Sequence, residues 1–380
     1  NCQYPFKELS GVGVSFKLIQ ALSGTLNMGT EPFKRYLDLV TIGTSADIVP
    51  LVDENRVMVS EGLRRIELTD NLGIQALMET SGIRNTEINV ERIIFILAPR
   101  INAVGRLGDA SKAVELLTTG DVTRAYSIAR ILEAENRKRR NLDVKTFKQA
   151  ESELLRIYDK SKWRSAVLAS ESWHHGVIGI AAAKLVEKYF LPTILISIKD
   201  GIGRGSARSI PGFDIYRALQ SCEGLLLNFG GHKYAAGLRI DPEAIPEFRH
   251  KFNELAFEII SEDLMTPTIN IEAEISLNEI NSTLLSLNRK LAPFGPSNTK
   301  PVFASRELQV VGNPHIVGDS HMKFKVRQNQ IVHDVIGFDM AERLSGISKG
   351  TYIDMAYVID ENVWQGVKRV QLNTKDIKFN

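Results

Sequence analysis

Cysteine is nearly missing from these 380 residues: Cys2 and Cys222 stand apart, with no Cys-x-x-Cys spacing. That excludes a disulfide framework and a cysteine-built zinc site, and predicts work in a reducing cytoplasm. Net charge is scarce as well, at +2, so any affinity for a polyanion must come from local patches. No apolar run approaches the roughly 20 residues of a membrane span, so no spanning helix and no membrane partner are expected. The opening NCQYPFKELSG lacks the basic head and apolar core of a secretion signal, and lacks an initiator Met. Its abrupt start predicts a fragment of a longer chain. Internal repeats and low-complexity tracts are absent too. With 43% hydrophobic and 24% charged residues, the composition is that of a folded protein, and the length suits two or three domains.

What is there concentrates between Gly201 and Asp241. GRGSARS and FGGHKYAAG read as two glycine turns around a short amphipathic segment. They offer Arg204, Ser206, Arg208 and His232 as donors, and Gly230 and Gly231 leave main-chain N–H groups open to a ligand. From 199 to 239, six Lys/Arg stand against three Asp/Glu, and Arg with Ser and Gly suits a phosphate. Two tight turns of an α/β domain with no ligand explain the glycines equally well.

Along the chain, residues 12–29 carry apolar residues at helical spacing and predict a buried helix. YLDLVTIGTSADIVPLVDENR is a helix or strand running into a loop, where Asp47 suits an N-cap or turn. Residues 55–82 read as helical. Ile93–Leu97 predicts a short buried strand, followed by a loop with Arg100, Asn102 and Arg106 and then a helix begun by Asp109. Loops after buried strands commonly carry sites in α/β proteins. Residues 121–158 hold no Gly or Pro and predict one helix about 55 Å long, with Ala125, Ala129, Leu132, Leu154 and Leu155 as its stripe and ENRKRRN as a solvated face.

RSAVLAS and LPTILIS predict strands around a helix that starts after SWHHG, an α/β pattern. His174 and His175 have no Asp before them and no Cys/His partner nearby, which speaks against a metal site. A helix from Pro242 to about Asp263 follows. From Ile269 onward, short β runs from INIEAEISL to KRVQLNTKDIKF predict a small barrel or sandwich. In HMKFKVRQ a period of two puts Lys323, Lys325 and Arg327 on one face and Met322, Phe324 and Val326 on the other. The basic face suits a phosphate backbone or plain solvation. Phe294, Phe324 and Trp364 are candidates for stacking on bases, although an aromatic in so small a barrel is more often core.

The combination of GSARS, GGH and AAG resembles the DHH-associated nucleic-acid-binding domain of the RecJ single-strand-specific exonucleases. GTSADIVPLVDENR is similar to the fourth motif of the DHH phosphoesterases, APRINAVGRLGDA to a RecJ signature, WHHGVIGI to WH-x-GVIGI, and APFGPSNTKPVF to the opening of the RecJ OB domain. The resemblance implies an α/β chain in four parts. Residues 1–120 would be the remnant, C-terminal part of a DHH catalytic domain, and 121–160 a long connecting helix. Residues 161–264 would be the DHH-associated substrate-binding α/β domain, and 268–380 a C-terminal OB-like β-barrel that binds nucleic acid.

The resemblance further implies a 5′→3′ exonuclease of DNA repair and recombination that hydrolyses single-stranded DNA with Mn²⁺ or Mg²⁺. Asp47 would ligate metal. Ser206 and Arg208 would hold the 5′ end, Arg204 would contact nucleic acid, and Arg100, Asn102 and Arg106 would grip the backbone. His174 would line the channel, Gly230 would contact nucleic acid, and Gly231 and a catalytic His232 would lie near the scissile bond. A helicase and a single-strand-binding protein are the implied partners. The family's upstream Asp motif and its Asp-His-His motif are not among these residues, so an incomplete metal site and a truncated chain are expected. Two other readings stand beside it. A DHH-family oligonucleotide phosphodiesterase normally lacks a C-terminal OB barrel; a non-catalytic single-strand-binding relative is opposed by Asp47 and the GSARS and GGH strings.

Overall fold

The computed structural model describes residues 3–159, 162–318, 320–364 and 367–379. They fall into two compact units: Asn1–Leu68, Glu87–Ile94 and Thr268–Asn380 in the first, Thr69–Thr86 and Phe95–Pro267 in the second. These units cut across the four segments expected from the sequence.

The first unit opens with α1 (Gly11–Thr25), α2 (Glu31–Lys34), α3 (Leu37–Ala46) and α4 (Asp53–Ile66). Ser10 starts α1 by accepting the Gly13 N–H at 3.1 Å. The helix is not buried as its composition predicts. Its Phe16 face packs on Phe33, Leu37, Val40 and Met58, while Val14, Leu18 and Leu22 stay exposed. Helices α3 and α4 press together where α4 has Gly62, whose Cβ would stand 1.7 Å from the Thr41 Oγ1.

Residues 55–82 are helical in two pieces: α4 ends at Ile66, and α5 (Leu72–Thr80) begins afresh, capped by Asn71. The strand expected at Ile93–Leu97 is a turn of π-helix between α6 (Val90–Arg92) and α7 (Ala98–Leu107). Val90, Ile93 and Leu97 are buried at intervals of three and four while Phe95 is exposed, which is the burial period of a helix. Asp109 lies ahead of α8 (Ser111–Thr118), bonding the Ser111 N–H and Oγ. The long helix α9 (Val122–Ile157) is continuous, with Asp121 as its N-cap. Ala125, Ala129, Leu132 and Leu154 are buried in it, but Leu155 is exposed.

The second unit continues through β1 (Ala166–Ser170), α10 (His175–Tyr189), β2 (Thr193–Lys199), β3 (Ile202–Arg208), α11 (Ile215–Ser221), β4 (Asn228–His232), β5 (Ala235–Ile240) and α12 (Ile245–Ile259). The sheet order is β1-β2-β3-β5-β4, with β1 and β2 parallel and the other pairs antiparallel. One face buries Ile194, Ile196, Ala207, Leu238 and Ile240 against Phe213, Phe248 and Phe252. On the other, α10 covers β2 and β3 with Ile178, Ala181, Ala182 and Leu185 buried beneath it, and α9 meets β1 through Ala150 and Leu154.

The first unit resumes with β6 (Ala273–Glu274), the only strand that INIEAEISL contributes, then α13 (Ser282–Leu291), β7 (Phe303–Val317), β8 (His321–Gln328), β9 (Ile331–Gly337), β10 (Tyr352–Trp364) and β11 (Val367–Phe379). The pairings β7–β8–β9–β11–β10–β7 close a five-stranded barrel, the expected OB-like end, with no free edge among those strands. Its core holds Leu308, Met322, Phe324, Val326, Tyr357 and Leu372. Phe324 is therefore packing material and not a base-stacking surface, and the Trp364 side chain lies outside the described residues.

Candidate nucleic-acid interface

The two glycine strings are strands, not turns. GRGSAR is β3, and FGGHKYAAG supplies the β4–β5 hairpin, turning at Lys233 and Tyr234. Side chains of a strand alternate between faces, and the register aligns three rows. Arg204 lies opposite Arg239, itself opposite Asn228; Ser206 opposite Gly237 and Gly230; Arg208 opposite Ala235 and His232. The intervening residues Ala207, Ala236, Leu238 and Ile240 enter the core, so the rows occupy the other face. The glycines serve different ends. Gly205 has no room for a Cβ, which would meet Leu238 at 2.7 Å, and Gly231 has φ +149°.

Helix α10 begins beside this face. His174 caps it, its Nδ1 accepting the Gly176 N–H at 3.0 Å. Burial, then the charges of His175, Lys199 and Lys138, hold the His174 pKa below its ordinary value, so the neutral ring that a cap requires is favoured. One turn on, Gly179 lies against Ser206 and Arg208. Arg106 comes from α7, not from a loop, and its Nη1 donates to the Gly176 carbonyl at 3.2 Å. Arg208 donates through Nη1 to the Ser206 Oγ at 3.1 Å and the Ala207 carbonyl at 2.8 Å. Burial, then the Arg106 charge, lower the Arg208 pKa. Among the described residues, neither arginine has a carboxylate within ion-pair distance. Two guanidinium groups, a hydroxyl and the positive end of a helix converge there, an arrangement that accepts an anion.

Arg100 does not belong to this cluster. It is buried on α7, its Nε 2.6 Å from the Glu133 Oε2 and its Nη1 donating to the Ile96 carbonyl at 2.6 Å. Such a side chain anchors α7 to α9 and cannot grip a backbone outside. Asn102, on the same helix, is exposed. Arg204 is exposed at the far end of β3 from Arg208, and His232 is exposed at the end of β4.

The remaining candidates lie in the first unit. Of the two expectations for Asp47 the turn holds and the N-cap does not: it follows the last turn of α3 as the C-cap, its N–H bonded to the Gly43 carbonyl, and is exposed. An anion at the negative end of a helix is unfavourable without a cation. Among the described residues no group of three or more His, Cys, Asp or Glu is placed to hold a metal ion. Lys323, Lys325 and Arg327 do point outward from β8, opposite Met322, Phe324 and Val326. Lys325 lies 3.6 Å from Asp334, and Arg327 donates to Gln309. Phe294 lines a cavity of about 870 Å³ whose cations are largely paired: Arg56 with the Lys290–Ala292 carbonyls, Lys300 with Glu91 and Asp360.

Gly179, Gly237 and Arg239 also adjoin these residues and were not singled out in the sequence. The alternation Ala235, Gly237, Arg239 was the available signal for the last two, once AAGLRI is read as a strand.

A family profile described as the DHHA1 domain matches residues 163–258, and one described as the RecJ OB domain matches residues 271–376. The single-stranded-DNA-specific exonuclease RecJ of Bacillus subtilis is 37% identical over 99% of this chain and 47% of its own length. That of Dickeya dadantii is 33% identical over 98% of this chain and 68% of its own length. The chain thus spans about half of the first relative and about two thirds of the second. Among solved structures, RecJ of Thermus thermophilus in complex with Mg²⁺ superposes with a TM-score of 0.83 at 28% identity, covering 99% of this chain and 57% of that one. Its Mn²⁺ complex gives 0.84 at 28%, covering 98% and 54%. No helix among the described residues is long and apolar enough to cross a membrane.

Proposed function

This chain belongs to the RecJ family of single-stranded-DNA-specific exonucleases, and we propose that it serves hydrolysis of single-stranded DNA from a phosphorylated 5′ end. The observation that carries the end recognition is the pair Arg106–Arg208. Both meet the first turns of α10, Arg106 at the Gly176 carbonyl and the half-buried Arg208 beside Ser206 and Gly179, and among the described residues no carboxylate lies within ion-pair distance of either. Like charges in that setting are relieved by an anion. A terminal phosphate, carrying more charge than an internal one, would sit against Arg208, Ser206 and Arg106 at the start of α10. His174 would hold the helix end in place, while Asn102 and Arg204 would meet the strand beyond. Gly231 and His232 would lie beside the bond to be cut, with Gly230 against the strand and His232 as a proton carrier at its ring nitrogen.

Mg²⁺ or Mn²⁺, bound in the Thermus thermophilus structures, would supply the nucleophilic hydroxide in such chemistry. Asp47 is the ligand this chain offers. One exposed carboxylate does not satisfy an ion that takes about six oxygens, so the described residues do not fit a complete metal site. The basic face of β8 would add sequence-independent affinity. A role in repair and recombination, a cytoplasmic setting, and a helicase and a single-strand-binding protein as partners belong to the same proposal.

The test is binding at fixed salt of a 5′-phosphorylated single strand, the 5′-hydroxyl strand and a blunt duplex, with Mn²⁺ then added to look for digestion. Preference for the phosphorylated strand supports the reading. Equal binding to all three overturns it, and digestion would overturn the incomplete metal site.

A further inference from the structure

Beyond the Ser206–Arg208 end that α10 covers, the same face of β3, β5 and β4 is exposed at Arg204, Arg239, Gly237 and Gly230 and has two features that folding does not explain. Arg204 and Arg239 are register partners, both exposed, and among the described residues neither has a carboxylate within ion-pair distance. Like charges directly opposite in an antiparallel pair destabilise it. Gly237 likewise faces Gly230. Neither has a positive φ. A Cβ on Gly230 would meet nothing within 4 Å, and one on Gly237 only the Gly205 carbonyl oxygen at 3.9 Å. Neither conformation nor internal packing calls for glycine there, although glycine weakens a strand interior. The contrast is on the same strands: Gly203 and Gly205, facing the core, would drive a Cβ to within 3.0 Å of Ile240 and Leu238.

We infer that a single strand lies over the Gly230–Gly237 floor, with an internal phosphate gripped between Arg204 and Arg239. The inference rests on the reading that the Ser206–Arg208 end holds the terminal phosphate. Along β3, Arg204 is four residues from Arg208, about 13 Å at the usual strand rise, so the two ends of the face address different phosphates. The bare floor lets sugar and base approach the sheet between them. Asn228, beside Arg239 on β4, extends the far row with a neutral amide donor. Arg239 and Gly237 become binding residues, and the repulsion across β3 and β5 becomes affinity once a phosphate lies there.

Equilibrium binding of the 380-residue chain to a 5′-phosphorylated dinucleotide and dodecanucleotide over a salt series tests this. Arg239→Ala should weaken the dodecanucleotide about tenfold, reduce its salt slope by about 0.7, and leave the dinucleotide unchanged. Gly237→Val should weaken the dodecanucleotide without lowering the melting temperature, since its Cβ has room. Wild-type affinity and slope in Arg239→Ala, or an equal loss for the dinucleotide, overturns the inference. Arg208→Ala separates the two levels. If only the wild type prefers a phosphorylated end, the end-recognition reading stands whatever Arg239 does; if the wild type shows no preference, that reading falls and takes the inference with it.

Discussion

A Cβ on Gly179 would stand 2.8 Å from the Ser206 Oγ and 3.0 Å from the Arg208 Nη2. The first turns of α10 and the phosphate grip of β3 fit together because that Cβ is missing. Gly179→Ala gains up to about 1 kcal/mol of helix propensity and loses a similar amount to crowding. The melting temperature should hardly move while preference for a 5′-phosphate falls several-fold. Unchanged preference would mean that Ser206 and Arg208 do not act there.

Arg100→Ala should destabilise the fold rather than strip nucleic-acid affinity from the folded chain. It leaves Glu133 half-paired beneath α7, at a cost of about 3 kcal/mol. Burial pushes the Glu133 pKa up, but the hydrogen bond from Arg137 and the charge and bond of Arg100 more than reverse it, so the folded value lies below the ordinary one. A depressed carboxylate contributes stability that is present above the unfolded pKa and lost as pH falls through the folded one. The denaturation midpoints of wild type and variant should therefore converge below about pH 4; a pH-independent gap contradicts the ion pair as its cause.

His174 has the same sign for a different reason. Its folded pKa is held below the ordinary 6.5, first by burial, so its contribution as a neutral cap is full above 6.5 and lost as pH falls through the folded value. His174→Asn keeps a capping side chain without the titration. Between roughly pH 7 and 5, thermal melting of the variant should fall less steeply than that of the wild type. Parallel curves would show that the cap does not titrate.

Gly62→Ala places a methyl 1.7 Å from the Thr41 Oγ1 and 2.3 Å from the Leu37 carbonyl oxygen, so α3 and α4 must part. Chemical denaturation should register a loss of about 3 kcal/mol or more. A loss well under 1 kcal/mol would contradict the close crossing.

How far the sequence is legible depends on the range over which each signal acts. The alternation in HMKFKVRQ is local, and β8 has the basic and apolar faces that it implies. The long α9 follows from the absence of Gly and Pro. GRGSARS misleads because glycine ordinarily marks a turn, whereas Gly203 and Gly205 are needed for room against Ile196, Leu238 and Ile240, supplied by other strands. IIFIL is too short for its period to separate strand from helix; Val90 and Leu97 on either side carry the helical spacing. Arg100 looks free in sequence because Glu133, its partner, lies 33 residues away on α9. The motifs did bring Arg106, Ser206, Arg208 and His174 onto one short list, and the fold places them around the start of α10.

The most direct measurement is the ratio of dissociation constants for a 5′-hydroxyl and a 5′-phosphorylated single strand, in wild type, Arg106→Met, Arg208→Met and the double variant. If the two arginines hold the terminal phosphate together, the wild-type ratio is about ten or more. Either single variant then brings it near one, and the double variant adds little, as expected of coupled partners. A ratio that survives both substitutions would contradict the site at its centre.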